Sequence, residues 1–341
     1  MKITMLGKSA SGKTSFMSAL YDSLINGDVS GFEIKPAGYG IDENIVQKGR
    51  WESLRQGYFP NATSETTLWS FDLRYKNKFV CNFEMLDYRG ELLTISPQEL
   101  VKDDSKFVRR TDLLAHIAIS DSIIIFADSL ILAKYPTGEA RNLSGAQSII
   151  DILTTYQGFS PNKNLVILIA LTKVDMLESQ WKENKYQNLI AKGLDVFAPI
   201  VQVCKMKETW KGGIIPISAV GEGNAEKVIS QSGFEFSKIV QMPRPFNVEQ
   251  ALFYCLGESL KNMQKVSLTN ISKRNEDLTE ALNRSNLLVD LWSFLVAKPT
   301  PKSIAKALIE RQQSEYLSLR QYEASAERLF EIALKEVQRI S

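Results

Sequence analysis

The chain has very few of the side chains that build metal or relay sites. Its single histidine, His116, excludes a metal site made of several histidines and a serine–histidine relay that needs a second one. The three cysteines, Cys81, Cys204 and Cys255, lie far apart, without metal-binding or redox spacing. We therefore expect them to be ordinary thiols in a reducing compartment.

An excess of charge and long apolar runs are also missing. The 41 Lys and Arg residues nearly balance the 39 Asp and Glu residues, so the net charge of +2 predicts no nucleic-acid partner. No apolar stretch reaches the length of about 18 residues that a membrane-spanning helix needs. The chain starts with an apolar strand pattern and a glycine loop, which differs from a secretory leader. These features predict a soluble, cytoplasmic protein without a transmembrane segment.

What the chain does have is apolar strand patterns that alternate with helical patterns. The apolar runs predict buried strands at 2–6, 122–127, 165–171 and 213–217. Two further strand patterns, at 67–75 and 78–86, flank Lys76-Asn77 and predict a hairpin, whereas most of 28–66 lacks a pattern. Helical patterns lie at 14–25, 43–55, 145–156, 181–207 and 247–261. Together they predict an α/β fold with a mostly parallel sheet, one antiparallel edge strand and helices on both faces.

The composition changes near residue 263. Strand patterns and glycines disappear after that point, so we expect an α/β domain over residues 1–262 and a helical extension over 263–341. Pro299 and Pro301 divide the extension into two arms. Apolar residues at helical spacing in these arms fit either a helical hairpin that packs within the protein or a docking face for a partner.

A glycine-rich loop, GKSASGKTS at residues 7–15, follows the first strand pattern. It matches the pattern G-x-x-x-x-G-K-[ST] through Gly7, Gly12, Lys13 and Thr14. Such glycines let backbone N–H groups point inward at phosphate oxygens. Here we expect the N–H groups of Ser11 to Ser15 to do so. The following helix presents its positive end to the same place. We expect Lys13 to bridge the β- and γ-phosphates and Thr14 to bind Mg²⁺ through its hydroxyl.

Three more stretches follow apolar strand patterns, in the order sensor, base reader and base clamp. LDYRG has the form D-x-x-G: we expect Asp87 to approach the metal and the Gly90 N–H to sense a γ-phosphate. In LTKVD, the Asp175 carboxylate can accept hydrogen bonds from guanine N1–H and its amino group, which adenine lacks. Lys173 then lies along the base and Thr172 supports the loop. In PISAV, we expect the Ala219 N–H to reach guanine O6 and Ser218 to steady the loop.

The four stretches, in this order at the ends of strands, make the chain resemble P-loop GTPases of the Ras-like and translation-factor-like class over residues 1–262. DYRGE, with Glu91 after the glycine, and GKSASGKTSFMSAL are similar to stretches of bacterial YcjX-type and double-GTPase proteins. The resemblance implies a cytoplasmic, bacterial molecular switch that binds GTP or GDP with Mg²⁺ and hydrolyses GTP.

The chain departs from the Ras pattern in two places, and its metal-sensing threonine has more than one candidate. Glu91 stands where Ras-type enzymes orient the attacking water with glutamine, so it either accepts a proton from water or merely begins a helix. Thr172 replaces asparagine at the start of the base reader. The metal-sensing threonine of the first switch is Thr63 by preference, with Thr66 and Thr67 as alternatives. We assign no arginine finger and no oligomeric state.

The function that follows is a guanine-nucleotide switch with slow hydrolysis, in which Lys13, Glu91 and Thr63 act on the γ-phosphate. Thr14, Thr63 and Asp87 are the expected metal ligands. A GTP-binding adaptor that does not hydrolyse is the alternative that Glu91 keeps open. A P-loop kinase is a weaker alternative, because it leaves TKVD and DYRG without a role. We expect a protein effector to contact the switch segments and the C-terminal helices.

Overall fold

The structure is a computed structural model. It describes residues 1–25, 29–37, 41–60, 66–88, 90–93, 104–159, 163–229, 235–263 and 324–340. These residues form an eight-stranded sheet and a separate two-stranded sheet. The strands are β1 (Lys2–Leu6), β2 (Phe32–Pro36), β3 (Thr67–Tyr75), β4 (Lys78–Asp87), β5 (Ser122–Asp128), β6 (Leu165–Thr172), β7 (Trp210–Pro216), β8 (Ala225–Ile229), β9 (Glu235–Ile239) and β10 (Gln338–Arg339).

Five neighbouring strands of the large sheet are parallel. The order of the sheet is β10-β7-β6-β5-β1-β4-β3-β2, and β7, β6, β5, β1 and β4 all run in one direction. In register, Leu6 lies beside Ile125, Asp128 beside Thr172, and Leu171 beside Pro216. The loops after these strands therefore all leave from one edge of the sheet, where ligands of open α/β sheets bind.

Antiparallel strands flank the parallel core. β3 and β4 form the predicted hairpin, and its turn residues Lys76 and Asn77 have φ values of 48° and 65°, as a two-residue turn that follows strand twist requires. β2 pairs antiparallel with β3, within a segment that we expected to be irregular. At the other edge, β10 pairs antiparallel with β7. The expected helix therefore does not include Gln338–Arg339.

Helices cover both faces of the sheet. They are α1 (Lys13–Ile25), α2 (Ile41–Arg55), α3 (Asp104–Ile119), α4 (Ser129–Lys134), α5 (Thr137–Leu143), α6 (Ala146–Phe159), α7 (Ser179–Val196), α8 (Ala198–Met206), α9 (248–263) and α10 (324–333). The helical stretch expected over 181–207, with Pro199 as its candidate break, forms α7 and α8; α8 begins just before Pro199, a residue favoured in a first helical turn.

The core lies on the two faces of β5 and β6, which have near-continuous apolar sequences. On one face, Ile123 and Ile125 belong to a buried cluster with side chains of α3 to α8. On the other face, Phe126 packs edge-to-face on Phe16 of α1, and the Ser122 hydroxyl bonds Ser259 of α9. Burial on both faces explains why these strands lack the alternation of polar and apolar residues.

By internal contacts the chain separates into two units. One unit comprises Met1–Ser259 with Leu329–Ser341, and the other comprises Leu260–Arg328. The predicted boundary at residue 262 remains a proposal. In the described parts of the chain, no helix combines the length and the apolar character needed to cross a membrane.

Candidate nucleotide-binding site

A cavity of about 270 Å³ lies at the edge where the parallel strands end. Its walls include ten of the residues that the motifs single out: Ser11, Gly12, Lys13, Thr14, Ser15, Gly90, Thr172, Lys173, Asp175 and Ala219. Gly7, Asp87, Glu91 and Ser218 do not line the cavity wall, although they lie in the same loops. The loops after β1, β4, β6 and β7 thus meet in one place, as expected from the parallel order of the strands.

The loop after β1 curls around the Lys13 ammonium. Gly12 has a φ of 95°, a conformation that favours glycine, and its carbonyl accepts the first helical hydrogen bond from Phe16 N–H. Lys13 Nζ donates to the carbonyls of Gly7 at 2.8 Å and Lys8 at 3.3 Å. Burial lowers the pKa of Lys13 to about 8, while the nearby Asp87 carboxylate opposes that shift. The loop therefore holds the Lys13 ammonium at the positive, N-terminal end of α1.

Asp87 ends β4 and is fully buried. Two residues of β4 before it are apolar and buried, so the strand carries the carboxylate to the sheet edge close to Lys13. Thr14, at the start of α1, lines the cavity with its half-buried side chain. A carboxylate and a hydroxyl are hard oxygen donors of the kind that Mg²⁺ prefers, so this end of the cavity has the chemistry for that ion.

The sensor segment packs on the phosphate loop. A Cβ added at Gly90 would lie 2.3 Å from the Ser9 nitrogen and 2.5 Å from the Lys8 carbonyl carbon, so only glycine fits there. Gly90 opens a short 3-10 helix, Gly90–Leu93, that buries Leu92 and Leu93 and exposes Glu91. The packing of these leucines in the core explains why the chain turns at Gly90.

The Thr172 hydroxyl reaches the phosphate loop and strand β5. It donates within reach of the Ser11 carbonyl at 2.9 Å and the Ala127 carbonyl at 3.1 Å. Lys173 follows in the left-handed region with a φ of 60°, and its ammonium pairs with Asp128 at the end of β5. Thr172 therefore ties the loop after β6 to the phosphate loop. Its role in supporting a bound base stays a prediction.

Asp175 lies in the turn Val174–Met176 and is only 7% exposed. Burial raises the pKa of its carboxyl group, and a hydrogen bond from Ser218 together with the charges of Lys182 and Lys173 acts in the opposite direction. Lys182 Nζ also donates to the Asp175 carbonyl at 3.0 Å. A buried carboxylate with these partners is preorganised to accept hydrogen bonds from a ligand.

Ser218 organises the loop after β7. Its Oγ accepts hydrogen bonds from the N–H groups of Val220 at 3.2 Å and Gly221 at 2.8 Å. Its backbone pairs with Phe246 in both directions, at 3.0 and 2.8 Å. These bonds hold Ala219 at the cavity wall.

The motifs missed several residues of the site. Phe59, Pro60, Tyr88, Met176 and Ser237 line the cavity, and Asp128 binds Lys173 beside it. Ser237 comes from the β8–β9 hairpin, whose strands had no clear sequence pattern. Of these residues, only Tyr88 could have been identified from the sequence, because it lies inside the D-x-x-G stretch.

The predicted metal-sensing threonine, Thr63, lies outside the described residues. Thr66, described just after that gap, is exposed, and Thr67 begins β3 with a half-buried side chain. Neither alternative lines the cavity. The choice among the three threonines therefore stays a prediction.

Comparisons with known proteins place the chain in a family. No curated protein matches it. Among solved structures, the signal recognition particle receptor SRb-GTP/SRX complex from Chaetomium thermophilum is 13% identical, with a TM-score of 0.36, over 65% of this chain and 95% of that chain. That likeness is too distant to carry an argument. The model of the Double-GTPase 2 family matches residues 2–210, well over half of the chain. The chain therefore belongs to the Double-GTPase 2 family, and it is a P-loop protein of the GTP-binding, switch-like kind.

Proposed function

We propose that this protein is a guanine-nucleotide switch that binds GTP with Mg²⁺ and hydrolyses it slowly to GDP. One observation carries the proposal: Lys13, from the loop after β1, and Asp175, from the loop after β6, line the same cavity. The first side chain suits phosphate and the second suits guanine. If the protein were a P-loop kinase, the buried Asp175 would have no role, so the geometry favours the switch.

The phosphate end of the site would use the loop from Gly7 to Ser15. Backbone N–H groups of Ser11 to Ser15 and the positive end of α1 would hold the phosphates, and Lys13 would exchange its carbonyl partners for phosphate oxygens. The close packing of Gly90 on the loop and its place in the cavity wall support a role of its N–H in sensing the γ-phosphate. During hydrolysis Lys13 would stabilise the charge that develops on the transferring group.

The metal end of the site would use oxygen ligands. Thr14 would bind Mg²⁺ directly, Asp87 would bind it through water, and Thr63 would complete the set in the first switch. The ion would neutralise charge on the β- and γ-phosphates. Its support here is the fully buried Asp87 carboxylate beside the cavity.

The base end would use Asp175 as the acceptor for guanine and Ala219 as the donor to its O6. Lys173, held by Asp128, would lie along the base, while Thr172 and Ser218 hold the two loops. The raised pKa of Asp175 reflects its burial, and guanine donors would satisfy the carboxylate.

Glu91 decides between hydrolysis and a purely adaptor function. Its side chain is exposed on the Gly90–Leu93 turn and does not line the cavity, so we expect that turn to move when Glu91 approaches the γ-phosphate. We therefore propose slow hydrolysis. Single-turnover measurements with purified protein and Glu91→Gln distinguish the two functions: a measurable rate that changes in the variant supports catalysis, and no phosphate release supports the adaptor.

The test of the nucleotide site is Lys13→Ala. We expect loss of GDP and GTP binding in a titration with fluorescent nucleotide, because the phosphates lose their buried cation. Lys163→Ala is the matched control: its ammonium also donates to a backbone carbonyl, that of Ala118 at 2.8 Å, but it precedes β6 at the other edge of the sheet. Full affinity in Lys13→Ala would refute the phosphate site.

A protein effector and a cytoplasmic location complete the proposal. The switch segments around Asp87 and the helices of the C-terminal part are the surfaces that a nucleotide-dependent partner would contact. The three cysteines are all free and buried thiols, a state typical of a reducing compartment.

A further inference from the structure

Tyr88 is the buried side chain of the sensor segment. It follows Asp87 directly, it is fully buried, and it lines the cavity. Its hydroxyl oxygen accepts a hydrogen bond from the Gly7 N–H at 3.0 Å and lies 3.5 Å from the Gly7 carbonyl oxygen. One side chain of the sensor thus reaches both backbone polar groups of the first glycine in the phosphate loop.

The same glycine also holds the cation of the site. Lys13 Nζ donates to the Gly7 carbonyl at 2.8 Å, and it lies 5.3 Å from the centroid of the Tyr88 ring, within the range of a cation–π contact. Tyr88, Gly7 and Lys13 therefore form one connected group. A change in the position of Tyr88 changes the surroundings of the Gly7 amide and the Lys13 ammonium together.

Gly7 is tightly packed against its neighbours. A Cβ added there would lie 2.5 Å from Ser11 Oγ and 2.9 Å from the Phe126 carbonyl oxygen. On the sensor side, Gly90 packs just as closely on Lys8 and Ser9. The first turn of the phosphate loop is thus enclosed between β5 and the sensor segment.

We propose that Tyr88 is a positioning residue for the phosphate loop, in which its hydroxyl holds the Gly7 amide and its ring supports the Lys13 ammonium. The proposal rests on the proposed function, since it concerns how that site is held in its binding shape. It also links the two motifs physically, because a shift of the sensor segment acts on the phosphate loop through this side chain.

Tyr88→Phe isolates the hydrogen bond. The variant keeps the ring and its contact with Lys13, but it leaves the buried Gly7 N–H without the hydroxyl that accepts its hydrogen bond. Loss of a buried hydrogen-bond partner of this kind predicts about tenfold weaker binding of both GDP and GTP. The phosphorus resonance of the GDP β-phosphate should also shift, because the amides around it relax.

Tyr254→Phe is the matched control. The Tyr254 hydroxyl is likewise buried and donates to a glycine backbone group, the Gly212 carbonyl at 2.8 Å, but Gly212 lies near the start of β7, away from the cavity. Both variants lose one buried hydrogen bond, so both should lower the melting temperature. Only Tyr88→Phe should weaken nucleotide binding and move the phosphorus resonance.

The outcomes separate the hypotheses. Wild-type affinity and an unmoved phosphorus resonance in Tyr88→Phe overturn the positioning role, and so does equal weakening in the two variants. If the wild-type protein binds no guanine nucleotide, the proposed function fails instead. If Tyr88→Phe does not fold, amide hydrogen exchange of the wild-type protein decides: a protected Gly7 amide supports the proposal and a rapidly exchanging one refutes it.

Discussion

Three charged side chains at the carboxyl edge of the sheet are almost completely buried. Lys13 is 5% exposed, Asp87 0% and Asp175 7%. Burial of charge is costly, and proteins maintain it where the charge meets a partner or a ligand. Lys13 and Asp87 carry opposite charges that interact near one end of the cavity. Asp175 interacts with Ser218, Lys182 and Lys173. These three side chains therefore provide the charges that are complementary to the proposed nucleotide and its metal ion.

Asp175→Asn should change which base the protein prefers. An amide presents a donor where the carboxylate presents an acceptor, so the guanine amino group loses its partner and the O2 of xanthine gains one. We expect GDP affinity to fall by about a hundredfold or more and xanthosine diphosphate to bind better than GDP. Competition titrations measure both. Asp195→Asn, at an exposed carboxylate bonded to Thr137, is the control and should change neither. Unchanged guanine preference in Asp175→Asn contradicts the base assignment.

Nucleotide affinity should depend on alkaline pH through Lys13. Its pKa in the free protein is lowered to about 8, whereas the phosphate-bound amine is charged, so binding above that pH must take up a proton. We expect affinity for GDP to fall by roughly tenfold for each pH unit above 8, with little change from this group below pH 7. Lys13→Arg, if it binds, should remove the dependence because its guanidinium stays charged. A flat profile in the wild type contradicts the assignment.

At the scale of elements, the β8–β9 hairpin and the segment after α2 meet beside the cavity. Phe59, Pro60 and Ser237 contribute to its wall, and Ser237 Oγ lies 3.7 Å from the Met176 sulfur of the base reader. The Ile239 N–H approaches the Gly57 carbonyl at 3.5 Å. The two elements thus form one wall of the cavity, next to residues that the motifs identify.

Gly57→Ala should loosen that wall. Gly57 has a φ of 95°, and a Cβ there would lie 3.2 Å from the Ile239 carbonyl oxygen, so alanine strains the backbone and separates the two elements. We expect release of fluorescent GDP to speed up by about threefold to tenfold, for a cost of about 1 kcal/mol. Gly223→Ala is the control, because its φ is 73° but nothing lies within 4 Å of the added Cβ. Equal release rates in the two variants would contradict the claim that the contact between Gly57 and Ile239 helps to retain GDP.

At the scale of the whole sheet, distant parts of the chain complete one layer. β10 pairs with β7, and the residues around it pack where β7 has glycines: a Cβ at Gly213 would lie 2.7 Å from Val337, and one at Gly212 would lie 3.0 Å from Ile340. The glycines of β7 therefore make room for these side chains. In the strand order, β7 and β10 lie beyond β6, on the side away from β1.

Val337→Ala should lower stability without touching the site. Val337 is 5% exposed, so its truncation leaves a gap above Gly213 and costs about 1 to 3 kcal/mol. Denaturant unfolding measures the loss, and GDP affinity should stay at the wild-type value. Leu334→Ala, at a side chain that is 37% exposed, should change stability by less than about 0.5 kcal/mol. Equal stability of the two variants would argue against the role of the β10 edge.

The local features of the site could be predicted from the chain alone. The apolar runs of β1, β5, β6 and β7 identify buried parallel strands. The residues at the ends of β1, β4 and β6 identify the phosphate loop, the sensor and the base reader. Parallel strands bring their carboxyl ends to one edge, so the meeting of Lys13 and Asp175 follows from local pattern and simple geometry. The strand β2 was missed because only Phe32 and Ile34 are buried, and β3 supplies its pairing.

Other parts of the site depend on contacts between residues far apart in sequence. Tyr88 reaches Gly7 across 81 positions and Lys173 reaches Asp128 across 45, and no local pattern marks either pair. The hairpin at the cavity wall and the pairing of β10 with β7 are of the same kind. The sequence by itself determined which groups are the candidates for phosphate and guanine binding and that they lie at one edge of the sheet, because hydrophobic period and loop chemistry are local. Only the tertiary structure decided which side chains hold those groups in place, because packing selects partners by proximity in space.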